Sequence, residues 1–190
     1  MVDFFTGLCQ DGTYSDTTLR DAKFGLCDDP PIAGISAPAY TDTATPSKWI
    51  AEIDNSVGHE VAFKAVDNCI EILRPNGDKE QRCDGLLLYD TTVIFVELKE
   101  KRDPSTKWVK EGGEQLKQTI KDFRAAHGTA GWSLKAAYLA NRKQPNFQQG
   151  HQTTINTLSK ATKVLFRVEA TIVLPPKQPS ASAAEATGAL

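Results

Sequence analysis

Two runs of large apolar residues stand out in the hydrophobic pattern of this chain, and each has the length of a β-strand. They are CDGLLLYD (83–90) and TVIFVELKEK (92–101), and a short polar turn separates them. β-branched and large apolar residues favour strands, and so short a connection joins antiparallel partners. The runs therefore predict a hairpin whose strands are apolar on both faces, which is typical of a sheet covered on both sides.

The segment before this hairpin carries mixed signals. Thr45-Pro46-Ser47 combines a hydroxyl cap with a proline suited to a first helical turn, so we predict a short helix there. Residues 61–73 fit a helical stripe, yet the PNGD sequence at 75–78 is typical of a hairpin turn. We predict a helix to about residue 66 and a strand over 68–73.

The segment after the hairpin alternates between helical and strand periods. Apolar residues following Pro104 recur at helical spacing and predict a helix of about four turns. Further along we predict a strand at 134–140, a helix near 152–159 and a final strand over 164–173. The predicted order is helix, three strands, helix, strand, helix, strand.

Both ends of the chain lack this patterning. Residues 1–45 are rich in Asp, Thr, Gly and Pro and follow neither period, which predicts an extended arm. Residues 175–190 are mainly Pro, Ala and Ser and predict a disordered tail. A length of 190 residues suffices for one domain and is too short for two, so we place one domain at 46–174.

The composition is that of an ordinary globular protein, with 40% hydrophobic and 24% charged residues. No apolar run reaches the length of a signal-peptide core or a membrane span, which predicts a cytoplasmic protein without membrane contact. The four cysteines are widely spaced and contain no C-x-x-C pair, so reduced thiols are expected.

The net charge of -2 conceals an uneven distribution along the chain. Residues 1–66 contain ten acids and four bases, whereas residues 123–168 contain seven bases and no acid. The basic half could face a polyanion such as nucleic acid, or the two halves could attract each other within one fold. Charge alone leaves both interpretations open.

The predicted hairpin brings charged residues together at one end. Side chains alternate along a strand, so Glu97 and Lys99 share a face, and a turn centred on Asp90 and Thr91 places Asp84 opposite Glu97. Opposed carboxylates repel each other, and Mg²⁺ or Mn²⁺ would turn that repulsion into coordination. The alternative is an internal salt bridge in which the lysine neutralises one carboxylate.

This arrangement resembles the core of the PD-(D/E)XK nuclease superfamily, in which an Asp in one strand is followed, after a hairpin, by Glu-x-Lys in the next. The resemblance covers about residues 46–140, with Cys83 where the family name has proline. It implies an α/β fold with a restriction-endonuclease-like core, namely a central mixed sheet in α-β-β-β-α-β order flanked by helices on both faces.

The resemblance also implies roles for individual residues. Asp84, Glu97 and the Leu98 carbonyl would hold Mg²⁺ or Mn²⁺, and Lys99 would assist the attacking water. The following helix, EGGEQLKQTIKDF, would offer a glutamine to the site, with Gln115 the best match. Weaker candidates are Gln118 from the same helix and Glu52 or Glu60 from the predicted first helix.

We therefore expect a metal-dependent hydrolase of nucleic-acid phosphodiesters, with DNA favoured over RNA. The slightly acidic net charge favours an alternative, a catalytically silent nuclease-fold subunit that binds a partner in a phage-defence or toxin system. A structural protein in which the charged residues form only a salt bridge is a third hypothesis. The N-terminal arm is the expected contact for a second copy of the chain or a partner protein.

Overall fold

The computed structural model describes residues 3–5, 9, 16–102, 107–144 and 149–177. Within them the chain forms two β-sheets and two long helices. The strands are β1 (Asp16–Leu19), β2 (Lys23–Cys27), β3 (Tyr40–Asp42), β4 (Ala51–Asp54), β5 (Val61–Ala65), β6 (Gly85–Tyr89), β7 (Thr92–Lys99), β8 (Ser133–Asn141), β9 (Leu165–Arg167) and β10 (Thr171–Val173). The helices are α1 (Lys107–His127) and α2 (Gln152–Thr162), and one-turn 3-10 helices lie at Pro46–Lys48 and Gln149–His151.

The hairpin of β6 and β7 forms as the sequence predicts. A two-residue turn at Asp90 and Thr91 joins the strands, and Asp90 has a φ of 49°, a left-handed conformation that aspartate tolerates. Gly85 pairs with Val96 and Tyr89 pairs with Thr92. This is the register predicted from the sequence, and nearly every residue of both strands is buried.

The larger sheet is mixed, with the order β1-β5-β6-β7-β8-β9. The first four strands are antiparallel, and β7, β8 and β9 are parallel. α1 connects β7 to β8, and α2 connects β8 to β9. Because such crossovers are right-handed and proceed in one direction across the sheet, both helices lie on one face, where they contact each other.

The prediction of helices on both faces is therefore wrong for the described part of the chain. On the face opposite the helices, the residues packed against the hairpin come from around the smaller sheet, which has the order β10-β4-β2-β3. The ring of Tyr89 lies 4.5 Å from that of His59, and Leu98 lines a cavity together with Ile50. A sheet rather than a second helix layer covers this face.

Residues 16–45, predicted as part of an extended arm, contain three strands. β1 forms an edge of the larger sheet, and β2 and β3 belong to the smaller sheet. Strands of three to five residues are too short to show a period, and their partners lie far away in sequence. The predicted final strand is likewise two strands, β9 and β10, which belong to different sheets.

Residues 46–73 also differ from the prediction. The first helix is a single 3-10 turn followed by β4, and residues 61–65 form β5 rather than a helix. The predicted strand at 68–73 is reduced to one bridge between Leu73 and Lys79, which flank the predicted turn. Pairing of β5 with β6 decides the conformation of a stretch whose apolar pattern also fits a helix.

The helix and strand predicted after Pro104 are present, with altered lengths. α1 has 21 residues, well beyond four turns, and both β8 and α2 extend past their predicted ends. The predicted disordered tail lies outside the described residues from 178 onward. Among the described residues, no helix is long and apolar enough to cross a membrane.

A disulfide between Cys9 and Cys69 joins the N-terminal segment to the loop after β5. The expectation of reduced thiols is wrong for this pair, because spacing along the sequence does not report which cysteines meet in the fold. Cys27 and Cys83 remain free and buried. Disulfides persist mainly in oxidising compartments, so this bond argues against the cytoplasmic assignment, which stays a prediction.

We expect the disulfide to stabilise the fold, because it closes a loop of 60 residues and so restricts the unfolded chain. Removing it with Cys9→Ser/Cys69→Ser should lower the free energy of unfolding by about 4 kcal/mol, measured by urea denaturation. As a control, dithiothreitol should destabilise the wild type and leave the double variant unchanged. Equal stability of wild type and variant under oxidising conditions would contradict the bond.

Candidate active site

Asp84, Glu97 and Lys99 meet at one end of the β6–β7 hairpin. Asp84 immediately precedes β6, and extension of the observed register places it opposite Glu97. The backbone N–H of Leu98 donates a hydrogen bond to Asp84 Oδ2 at 2.5 Å, which ties the carboxylate to the neighbouring strand. The cluster predicted from strand alternation is confirmed.

Gln115 of α1 completes this cluster. Lys99 Nζ forms an ion pair with Glu97 Oε1 and donates to Gln115 Oε1 at 3.2 Å. The amide nitrogen of Gln115 in turn donates to the carbonyl of Arg82 at 3.1 Å. The glutamine therefore holds the lysine from the helix side, and its own orientation is fixed by the backbone before β6.

Gly112 allows α1 to approach these side chains closely. A Cβ atom at this position would lie 2.4 Å from Leu139 Cδ1, 3.1 Å from Glu97 Cγ and 3.5 Å from Lys99 Cε. Gly113 makes a corresponding approach to α2, where a Cβ would lie 2.3 Å from Leu158 Cδ1. The two glycines, unfavourable within a helix, are explained by packing.

The carboxylates of the site are deeply buried, and their electrostatics follow from that burial. Glu97 has no exposed surface and Asp84 is 9% exposed. Burial raises the pKa of Asp84 to about 7, with Lys99 and the Leu98 N–H opposing the shift. Burial and the nearby Asp84 raise the pKa of Glu97 well above its usual range.

The pKa of Lys99 is set by burial and by the nearby carboxylates, which act in opposite directions. Burial lowers its pKa, but the carboxylates of Glu97 and Asp84 outweigh that effect, so the pKa lies above its ordinary value. The lysine stays charged and about a fifth of its side chain is accessible, at 18%. One full positive charge thus stands beside two carboxyl groups that resist ionising together.

One oxygen of the site lacks a partner within the described part of the chain. Glu97 Oε2 is buried and accepts no hydrogen bond from these residues, which leaves a polar atom unsatisfied at a cost of about 1–3 kcal/mol. A divalent cation between Glu97 and Asp84 would satisfy it with oxygen ligands of the kind that Mg²⁺ prefers. The described residues contain no group of three or more His, Cys, Asp or Glu side chains that could hold a metal ion, so a cation here would have Asp84 and Glu97 as its side-chain ligands.

Two charged residues that sequence reasoning did not assign to the site lie beside it. Asp67 follows β5, and its Oδ1 accepts a hydrogen bond from Nε of the buried Arg82 at 2.9 Å. Asp28 follows β2, and its negative charge raises the pKa of Asp84 further. Neither had a usable sequence signal, because the strands that place them, β5 and β2, were not predicted.

The weaker candidates lie elsewhere. Gln118 donates to Asp122 on the same helix at 3.0 Å, as a surface residue would. Glu52 is in β4 and pairs with Lys23 at 2.9 Å, and Glu60 pairs with Arg20. Because the predicted first helix is absent, neither glutamate is carried to the site.

The pKa of Asp84 makes metal-free stability depend on pH. The folded protein keeps a proton up to about pH 7 that the unfolded chain releases near pH 4, so stability should fall as the pH rises through this window. Urea denaturation in EDTA should show this decline between about pH 4 and pH 7 for the wild type. Asp84→Asn should reduce the slope, and Glu97, whose pKa is also raised, should supply the remainder. Glu169→Gln, at a surface ion pair, should leave the slope unchanged. A wild-type curve that rises over this range would contradict the burial argument.

Comparison with models of known protein families, with curated proteins and with solved structures finds no match for this chain.

Proposed function

We propose that this chain is a metal-dependent nuclease with a restriction-endonuclease-like core. The observation that carries the proposal is the convergence of Asp84, Glu97, Lys99 and Gln115 at the end of a buried hairpin. Asp84 and Glu97 would hold Mg²⁺ or Mn²⁺, with the Leu98 carbonyl as the third protein ligand by resemblance. The substrate would be a nucleic-acid phosphodiester, with DNA favoured over RNA.

The topology around the site supports this core. Three antiparallel strands, β5, β6 and β7, are followed by a crossover helix and the parallel strand β8. This agrees with the strand-strand-strand-helix-strand part of the expected order. It departs from that order at the start, where a 3-10 turn and β4 stand in place of the first helix.

The chemistry of the donors supports a hard divalent cation. Two carboxyl groups face each other, and one oxygen, Glu97 Oε2, has no hydrogen-bond partner among the residues that the structure describes. When bound, the cation would supply Lewis-acid activation of water and neutralise charge on the phosphate. Holding it requires Asp84 and Glu97 to release their protons, so affinity should increase with pH.

Lys99 would act on the phosphate. Its ammonium group contacts Glu97 and Gln115, and part of its side chain remains accessible. A fixed positive charge in a largely dry site stabilises negative charge that develops in the transition state more strongly than it would in water. Gln115, anchored by the Arg82 carbonyl, restricts the position of the ammonium group.

A cavity of about 640 Å³ beside Gln115 would be the entrance for the substrate. Lys107 and Lys110, on the first turns of α1, line it. Glu111 and Glu114 also line the cavity, so its charge is mixed. Each of these carboxylates forms an ion pair with a lysine of α1, which reduces its repulsion of a phosphate backbone.

Cleavage of labelled single- and double-stranded DNA and RNA with Mg²⁺ or Mn²⁺ tests the proposal. Glu97→Gln and Lys99→Met should each lower the rate at least about 100-fold, because the first removes a proposed metal ligand and the second removes the positive charge that would face the phosphate. Gln115→Ala should lower the cleavage rate about tenfold, because the ammonium group of Lys99 would lose the contact that restricts its position. Gln118→Ala is the matched control from the helix surface and should keep wild-type activity.

Metal binding by itself gives a second measurement on the same proteins. Mg²⁺ or Mn²⁺ should raise the melting temperature of the wild type and fail to do so for Glu97→Gln, because a ligand that binds only the folded state stabilises it. A wild type that cleaves nothing and shows no thermal shift would overturn the proposal. The silent nuclease-fold subunit would then be the better explanation.

The two helix glycines form a matched pair for testing the geometry of the site. Gly112→Ala and Gly113→Ala each bring a Cβ against a leucine methyl group, but the first also pushes on Glu97 Cγ. We expect Gly112→Ala to lower the cleavage rate about tenfold, since small displacements of positioned groups slow the reaction. It should also reduce the metal-induced rise in melting temperature. Gly113→Ala should retain both, and equal loss in the two variants would assign the effect to helix packing.

A further inference from the structure

A tight hairpin between β2 and β3 exposes two isoleucines. Ile32 and Ile35 exchange both backbone hydrogen bonds, each at 3.0 Å, around a turn at Ala33 and Gly34. The φ angles there are 51° and 81°, the left-handed values of a two-residue hairpin turn. The preceding Pro30 and Pro31 fix their own φ angles, so the isoleucines are presented by a defined backbone.

These isoleucines contribute nothing to the core. Ile32 is 81% exposed and Ile35 is 76% exposed, and as bridge partners they carry their side chains on the same side of the hairpin. Polar residues would satisfy the turn equally well without placing two large apolar groups in water. Paired, exposed apolar side chains on a fixed turn are typical of an interaction site.

The base of the hairpin is strongly acidic. A cavity of about 260 Å³ lies there, and four carboxylate residues line it: Asp28, Asp29, Asp67 and Glu100. Three of them have partners, namely Tyr40 for Asp29, Arg82 for Asp67 and Arg142 for Glu100. Asp28 is half-buried and has no hydrogen-bond partner among the described residues, so only the nearby charge of Lys99 partly offsets this carboxylate.

The charge of this cavity restricts what can bind beside the isoleucines. A phosphate backbone or an anionic lipid surface would bring negative charge against four carboxylates. A lysine or arginine side chain would complement them, and its aliphatic stem would pack against Ile50 and Leu98 in the cavity wall. The favoured occupant is a protein segment that combines large apolar residues with a basic one.

We propose that the Ile32–Ile35 hairpin and the acidic cavity at its base form a docking surface for a partner protein. The partner would cover the two isoleucines with apolar side chains and insert a lysine or arginine toward Asp28. The surface adjoins the candidate active site, because Asp28 and Asp67 lie beside both, but the proposal stands on the hairpin and the cavity and does not require nuclease activity.

Selection from a random dodecapeptide display library against the full chain tests the surface, followed by fluorescence anisotropy of the enriched peptides. The enriched peptides should combine large apolar residues with lysine or arginine. Ile32→Ser/Ile35→Ser should weaken their binding at least tenfold, and Asp28→Asn should weaken it several-fold and reduce its salt dependence. Val173→Ser, which removes an apolar side chain that is 60% exposed elsewhere, is the matched control and should leave binding unchanged.

Other outcomes would overturn the proposal. These are no enrichment, enriched peptides without basic residues, or binding that is insensitive to both the isoleucine and Asp28 variants. Sedimentation velocity tests whether a second copy of the chain occupies the surface. Fluorescence anisotropy with single-stranded DNA tests whether nucleic acid does. Self-association or DNA binding that is lost in Ile32→Ser/Ile35→Ser would assign the hairpin to a second copy or to nucleic acid instead.

Discussion

The pairing of β6 with β7 is the constraint on which the candidate site depends. With a two-residue turn at Asp90 and Thr91, every opposed pair along the hairpin is fixed, and Asp84 has to face Glu97. A shift of one residue would move Glu97 and Lys99 to the other face of the sheet, away from α1. Burial of both strand faces makes such a shift very costly, so the fold enforces the meeting of two carboxylates.

The fold tolerates this concentration of charge because several features compensate for it. Lys99 neutralises part of the charge, Gln115 holds the lysine, and Gly112 lets the helix come close enough to exclude water. The compensation is incomplete, because one carboxylate oxygen of Glu97 finds no partner in residues 16–102, 107–144 and 149–177 or in the few described residues before them. A buried, unsatisfied oxygen beside a second carboxylate is an arrangement that a divalent cation stabilises, which connects the energetics of the fold to the proposed chemistry.

Strand β7 contributes to two surfaces of different character, which adjoin where Asp28 and Asp67 lie beside the candidate site. Side chains on one face, Glu97 and Lys99, meet α1 and form the proposed active site, whereas Leu98 between them points to the acidic cavity below the Ile32–Ile35 hairpin. Alternation along a strand thus lets consecutive residues serve chemistry and partner binding separately. A partner docked at the hairpin would contact the strand that carries Glu97 and Lys99 without occupying the side that faces Gln115.

The sequence by itself determined the parts of this protein that depend on local pattern. Long apolar strands, a short turn and helical spacing were enough to predict the register of β6 and β7 and the helices α1 and α2, and the family resemblance pointed to Gln115 as a residue of the site. Tertiary structure alone decided the rest: the strands at 16–42, the strand conformation of residues 61–65, the Cys9–Cys69 bond and the position of Asp28. The physical reason is that short strands and cysteine pairs are stabilised by partners distant along the chain, and a local pattern does not identify those partners.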